Sequence, residues 1–115
     1  MSRKALLGLM AALAGIVAGV PVPTGAFGGA RAAGVHTVIL KNIRYHPSTL
    51  SINRGESVKW VWRDGEIEHT VTFRTKHSPL QSSGTYTVRF TRSGTFAYHC
   101  EVHGHEGMKG KIIVR

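Results

Sequence analysis

From Val35 to Val114 no stretch places apolar residues at helical spacing, whereas short runs of β-branched and aromatic residues recur, each cut off by a turn signal. "VHTVILKNI" (35–43) opens the series. Tyr45-His46-Pro47 breaks it, because the residue before a proline is pushed away from helix. "TLSI" (49–52) leads into a turn at Asn53-Arg54-Gly55. "SVKWVW" (57–62) then alternates Val58, Trp60 and Trp62 with Ser57, Lys59 and Val61, the mark of a strand with one buried face. After the turn Arg63-Asp64-Gly65 come "HTVTF" (69–73), "TYTVRF" (85–90), "TFAYHC" (95–100) and "GKIIV" (110–114). Only Arg74 to Ser83 lacks a strand signal, and it reads as a loop. Seven or eight short strands at this spacing predict an all-β chain folded as an antiparallel sandwich or barrel.

The first 32 residues read differently. Met1-Ser2-Arg3-Lys4 precedes an uninterrupted apolar run from Ala5 to Val20, then Pro21 and Pro23, and Ala30-Arg31-Ala32 offers a small-x-small cleavage pattern. This predicts an export signal over residues 1–32, cut between Ala32 and Ala33, and one domain over 33–115. If retained, the apolar run would instead act as a membrane anchor. Cleavage would leave no transmembrane helix and a monomeric protein in the periplasm or outside the cell. A domain this small has a marginal core unless something staples it. The single cysteine, Cys100, has no partner for a disulfide, so a bound metal is the staple available.

Of the fifteen Lys and Arg residues, Arg3, Lys4 and Arg31 fall in the expected signal, leaving twelve against six acidic residues. They are scattered along strands and turns without a basic run or helix, which argues against nucleic-acid binding. A net positive charge favours an acidic partner or an anionic membrane surface.

Near the C-terminus "YHCEVHGHEGM" (98–108) concentrates the one cysteine, three of seven histidines and a methionine. The spacing Cys100-x2-His103-x4-Met108 follows a strand that ends at the cysteine, so one loop can bring three donors round a point. His69, which opens its own run just past the Gly65 turn, supplies a fourth. Two imidazoles, a thiolate and a weak axial thioether make the set that suits electron-transfer copper. Soft sulfur favours Cu(I) while imidazole also serves Cu(II), so one geometry tolerates both states. Cys100 as a plain buried thiol, and His69 as a strand-end surface residue, are the competing readings. His36, His46 and His77 read as exposed or structural and His105 as a solvated loop residue. His99 should point away from Tyr98 and Cys100. Trp60 and Trp62 read as core, and Glu101 and Glu106 as solvent-facing.

"GESVKWVWRDGEIEHTVTF" (55–73) together with "GTFAYHCEVHGHEGMKGKIIV" (94–114) resembles the cupredoxins, the small blue copper proteins, and within them the plastocyanin and amicyanin branch. The resemblance spans most of residues 35–115. It implies a Greek-key β-sandwich of seven to eight strands with one copper ion, cycling between Cu(I) and Cu(II), held by His69, Cys100, His103 and Met108 near one end. It also implies that the ring edge of His103 is the port for electrons. Two positions depart from the pattern. Thr70 replaces the usual Asn after the first ligand, where its hydroxyl could reach the Cys loop. His99 stands where plastocyanins carry a Tyr used toward a partner, and the acidic patch of that branch is missing.

An exported one-electron carrier, not an enzyme, serving redox partner proteins with acidic docking surfaces, is the function expected. A periplasmic copper carrier or chaperone is the alternative, although such proteins expose more methionine than this chain has. A small copper enzyme would need an open coordination position, and a binuclear copper centre would need a second cysteine. A zinc module using the same four donors is the remaining possibility.

Overall fold

The computed structural model describes residues 34–115, which form seven β-strands in two sheets. The export signal expected over residues 1–32 lies outside the described residues. The strands are β1 (Val35–Lys41), β2 (Arg44–His46), β3 (Thr49–Ile52), β4 (Ser57–Trp62), β5 (Thr85–Arg89), β6 (Gly94–His99) and β7 (Lys109–Val114). One sheet runs β2-β1-β4-β5 and the other β3-β7-β6. The all-β sandwich is the one expected, but its pairing is mixed. Beside the antiparallel pairs, β1 lies parallel to β4 and β3 parallel to β7. The reason is the path of the chain: β3 belongs to the opposite sheet, so β4 returns beside β1 by a crossover and runs in the same direction.

Alternation along each strand delivers the core. Val38 and Leu40 on β1, Val58, Trp60 and Trp62 on β4, and Val88 on β5 join Ile52, Tyr98, Ile112 and Val114 of the other sheet in one buried cluster. Trp60 is fully buried and bridges the layers, with its ring edge-on to Tyr98 at 5.4 Å and to Phe73 at 5.7 Å. Truncating such a residue to alanine costs about 3–5 kcal/mol. No helix among the described residues is long and apolar enough to cross a membrane.

Two local expectations are corrected. The run at 35–43 ends at Lys41, because Asn42 and Ile43 both take φ of 55° and turn the chain back. Two consecutive left-handed residues match the twist of a two-residue hairpin, so Arg44–His46 pairs with β1 as Lys41↔Arg44 to Ile39↔His46 instead of breaking the strand. A β-branched residue seldom adopts that conformation, and Asp64 supports it: its carboxylate accepts the amides of Asn42 at 2.9 Å and Ile43 at 3.0 Å. "HTVTF" alternates like a strand but forms only isolated bridges, His69 to Gln81, and Thr72 to His77 and His99.

Candidate metal centre

Although it belongs to no strand, His69 is held firmly. Its backbone exchanges hydrogen bonds with Gln81, at 2.9 and 3.2 Å, and its carbonyl also accepts the Trp62 indole N–H at 3.0 Å. The next carbonyl, Thr70, accepts the Tyr45 hydroxyl at 2.6 Å. Aromatic side chains of β4 and β2 thus do the anchoring that a sheet ladder would otherwise do. On the other side of the site, Cys100 follows β6 directly. Its loop is closed by backbone bonds from Cys100 N to Met108 O at 3.1 Å, Gly104 N to Cys100 O at 2.8 Å and Met108 N to His103 O at 3.3 Å. A short 3-10 turn, Gly104–Glu106, ends at Gly107 with φ of 92°, a left-handed position where glycine is at ease.

Three donor atoms converge between these segments. The Nδ1 atoms of His69 and His103 stand 3.2 Å apart, and Cys100 Sγ lies 3.8 Å from the first and 3.7 Å from the second. These edges enclose a centre about 2 Å from each corner, within the span of metal–nitrogen and metal–thiolate bonds of about 2.0–2.3 Å. His69 and Cys100 are fully buried and His103 is half-buried. Met108 is fully buried, with its backbone tied to both Cys100 and His103. Two imidazoles and a thiolate at these separations fit a single soft or borderline ion, copper among them.

The surroundings fix how the donors point. His69 Nε2 donates to Asp64 Oδ2 at 2.7 Å; an ionised carboxylate only accepts, so the proton sits on Nε2 and Nδ1 keeps its lone pair facing Cys100 and His103. Burial of Asp64 works against its charge, but the hydrogen bonds from His69, Ile43 and Asn42 outweigh it and hold the carboxyl below its usual range. At the sulfur, the Thr70 amide donates to Cys100 Sγ at 3.4 Å. The Thr70 hydroxyl does reach the Cys loop: it accepts the Glu101 amide at 2.9 Å and lies 2.8 Å from Thr72 Oγ1, which donates to Glu101 Oε2 at 3.2 Å. Because the carboxylate can only accept, the directions close into a ring, from Glu101 N–H to Thr70, Thr70 O–H to Thr72, and Thr72 O–H back to Glu101.

The other histidines stand apart from this cluster. His36 pairs with Glu56 at 2.9 Å, His46 bonds the Lys41 carbonyl, His77 bonds the Ser78 carbonyl, and His105 is exposed beside Glu106 at 3.5 Å. His99 is exposed while Tyr98 and Cys100 are buried, as strand alternation requires. Sequence reasoning missed Asp64, Tyr45 and Thr72 as supports of the site. Asp64 read only as a turn residue, and nothing in one sequence signals that a turn carboxylate folds back onto a histidine five residues later.

A family model described as copper binding proteins, plastocyanin/azurin family, matches residues 33–115. The chain belongs to this family. Like its relatives this cupredoxin is a copper protein. It is 33% identical over 85 residues to a plastocyanin of Scenedesmus fuscus, covering 62% of this chain and 86% of that one. It is 30% identical over 108 residues to the copper-resistant cuproprotein CopI of Rubrivivax gelatinosus, covering 70% of this chain and 66% of that protein. Among solved structures, an amicyanin mutant in its oxidised state superposes with a TM-score of 0.65 at 28% identity, covering 77% of this chain and 90% of the other. The β-sandwich of these cupredoxins is the architecture found here.

Proposed function

We propose that this cupredoxin is an exported one-electron carrier binding one copper ion through His69, Cys100, His103 and Met108. The reading rests on one observation: two Nδ1 atoms and a thiol sulfur converge within 3.8 Å of one another between segments already pinned by the protein. Bound copper would supply a Cu(I)/Cu(II) couple. The chain's own residues do the rest. Asp64 keeps the His69 proton on Nε2 and so keeps Nδ1 a donor. The Thr70 amide steadies the sulfur, and such hydrogen bonds tune the potential of a thiolate-ligated metal. Burial of His69, Cys100 and Met108 keeps water and substrates away, which favours a carrier over an enzyme. Half-buried His103 offers the route outward, and exposed Ile67, Leu80 and Val102, on loops that carry or flank the donors, give a partner an apolar landing. Redox partner proteins with acidic docking faces suit the net positive charge.

The likeness to CopI supports a second reading, in which the protein handles the ion itself. One equivalent of Cu(II) added to the reduced apoprotein separates the two. An intense thiolate-to-copper band with narrow EPR hyperfine splitting, bleached reversibly by ascorbate and absent in Cys100→Ser, together with slow copper release to a chelator, is the expected result. A pale tetragonal signal, or release within seconds, would overturn the carrier reading in favour of copper handling.

A further inference from the structure

The outer side of the sandwich where β5 and β6 face each other is unusual in its charge. Four shallow hollows run along it, joined by shared lining residues: Phe73, Arg92 and Phe96 link the first two, Arg74 and Ala97 the next, Lys109 and Gly110 the last. Six cationic side chains line this band, namely Arg74, Lys76, Arg89, Arg92, Lys109 and Lys111, and all six are exposed. No acidic residue lines any of the four hollows. The cations are also uncompensated: among the described residues every ion pair involves a histidine, and no Lys or Arg has a carboxylate within 4.0 Å. Half the basic residues of the domain are therefore gathered on one contiguous surface with no carboxylate partner, and Arg89 spends one guanidinium N–H on the Gly55 carbonyl at 3.1 Å. The band ends beside the site, since its lining includes His99 and Lys109, the chain neighbours of Cys100 and Met108, and Glu101, bonded to Thr72, marks the border.

We infer that this band is the docking face for a protein whose own contact surface is acidic. The inference rests on the carrier reading above and adds the surface. Unpaired exposed cations around shallow hollows match carboxylates by charge and by relief, and they steer association while costing little desolvation. A partner seated there lies next to the backbone leading into Cys100. A flat anionic bilayer would leave the hollows unfilled, and the band carries no exposed large apolar side chain to insert, because Phe73 and Phe96 are half-buried in its floor.

The test uses the copper-loaded protein and poly-L-glutamate as the carboxylate probe, with phosphatidylglycerol vesicles in parallel. A band variant, Arg74→Gln/Arg92→Gln/Lys109→Gln, is set against a control of equal charge, Lys41→Gln/Arg54→Gln/Lys59→Gln, whose residues lie off the band. The expected result is about tenfold weaker poly-glutamate binding for the band variant and less than twofold for the control, both differences fading as salt rises. Equal weakening in the two variants would overturn the inference, since only net charge would then matter. Vesicle binding without poly-glutamate binding would overturn it in favour of a membrane. The blue colour and ascorbate bleaching of the unmodified protein report separately on the carrier reading: their loss sinks that reading, while their retention with band-independent binding sinks only this one.

Discussion

Replacing Asp64 by Asn changes one oxygen to an amide nitrogen, and the surroundings show why that is not conservative. Both carboxylate oxygens are in use: Oδ2 accepts from His69 Nε2 at 2.7 Å and from the Ile43 amide at 3.0 Å, while Oδ1 accepts from the Asn42 amide at 2.9 Å. An asparagine has one acceptor for three donors. If its oxygen faces His69, its NH₂ meets the Asn42 amide, donor against donor, in a hairpin turn whose two residues already hold φ of 55°. If it flips, its NH₂ faces His69 Nε2 and drives the proton to Nδ1, the atom that must stay a lone-pair donor. The Asp64 side chain is only 9% exposed, so water gives little relief. Loss of a charge-assisted hydrogen bond costs about 1.5–3 kcal/mol. Loss of a carboxylate behind a ligating histidine weakens metal binding by about 10- to 100-fold, or about 1.4–2.7 kcal/mol. Competitive copper titration against a chelator of known affinity measures this, and ¹⁵N NMR of His69 in the apoprotein reports the tautomer directly. Copper affinity within twofold of the parent, with Nε2 still protonated, would refute the reasoning.

Three further perturbations have clear directions. Tyr98→Phe removes a buried hydroxyl that has no hydrogen-bond partner; the neighbouring Trp60 indole lies near enough to favour the phenolate but outside bonding geometry, so thermal stability should hold or rise slightly. Burial pushes Tyr98 up to about 12, above its unfolded value, so it stays protonated in the folded state where the unfolded chain ionises. Its stabilisation is intact below pH about 10 and is lost as pH rises toward 12; denaturant titrations across that window should show a shallower decline for the Phe variant, with the rest of the slope left to Tyr86, which burial also raises, and to Tyr45, which burial, Cys100 and Tyr98 raise further. Gly110→Ala should destabilise by about 1–3 kcal/mol, because a Cβ there would meet Tyr98 Cζ and Oη at 2.5 Å and the Ser48 carbonyl at 2.9 Å, and an unchanged melting temperature would count against the packing described. Thr70→Val opens the hydroxyl ring and strands the Glu101 amide, so about 1–2 kcal/mol of stability should go while the blue band persists through the retained Thr70 N–H bond to Cys100; loss of colour instead would give the hydroxyl a larger part in the site.

Where side-chain period coincides with a real ladder, as at Ser57–Trp62, sequence and structure agree residue for residue. They part where another force decides. Arg44–His46 was hidden because its turn has neither Gly nor Pro: an Asn and an Ile make it, and a carboxylate distant in sequence holds it. His69 to Phe73 carries the period of a strand, yet aromatic side chains and isolated bridges anchor it in place of a ladder. The meeting of His69, Cys100 and His103 was legible because two of the three sit at a fixed offset in one loop. Asp64, Tyr45 and Thr72 were not, since their roles exist only once the sheets bring separate segments together.

The donor loop leaves and re-enters the sandwich at a single rung. His99 pairs with Lys109 as the last register of β6 and β7, and just beyond it Cys100 N bonds Met108 O. What lies between those two posts therefore behaves as a cassette: changes from Val102 to Gly107 that keep His103 are separated from the register beneath by the Cys100–Met108 backbone bond. A lineage can rewrite this segment, and with it reactivity and choice of partner, while inheriting the scaffold unchanged.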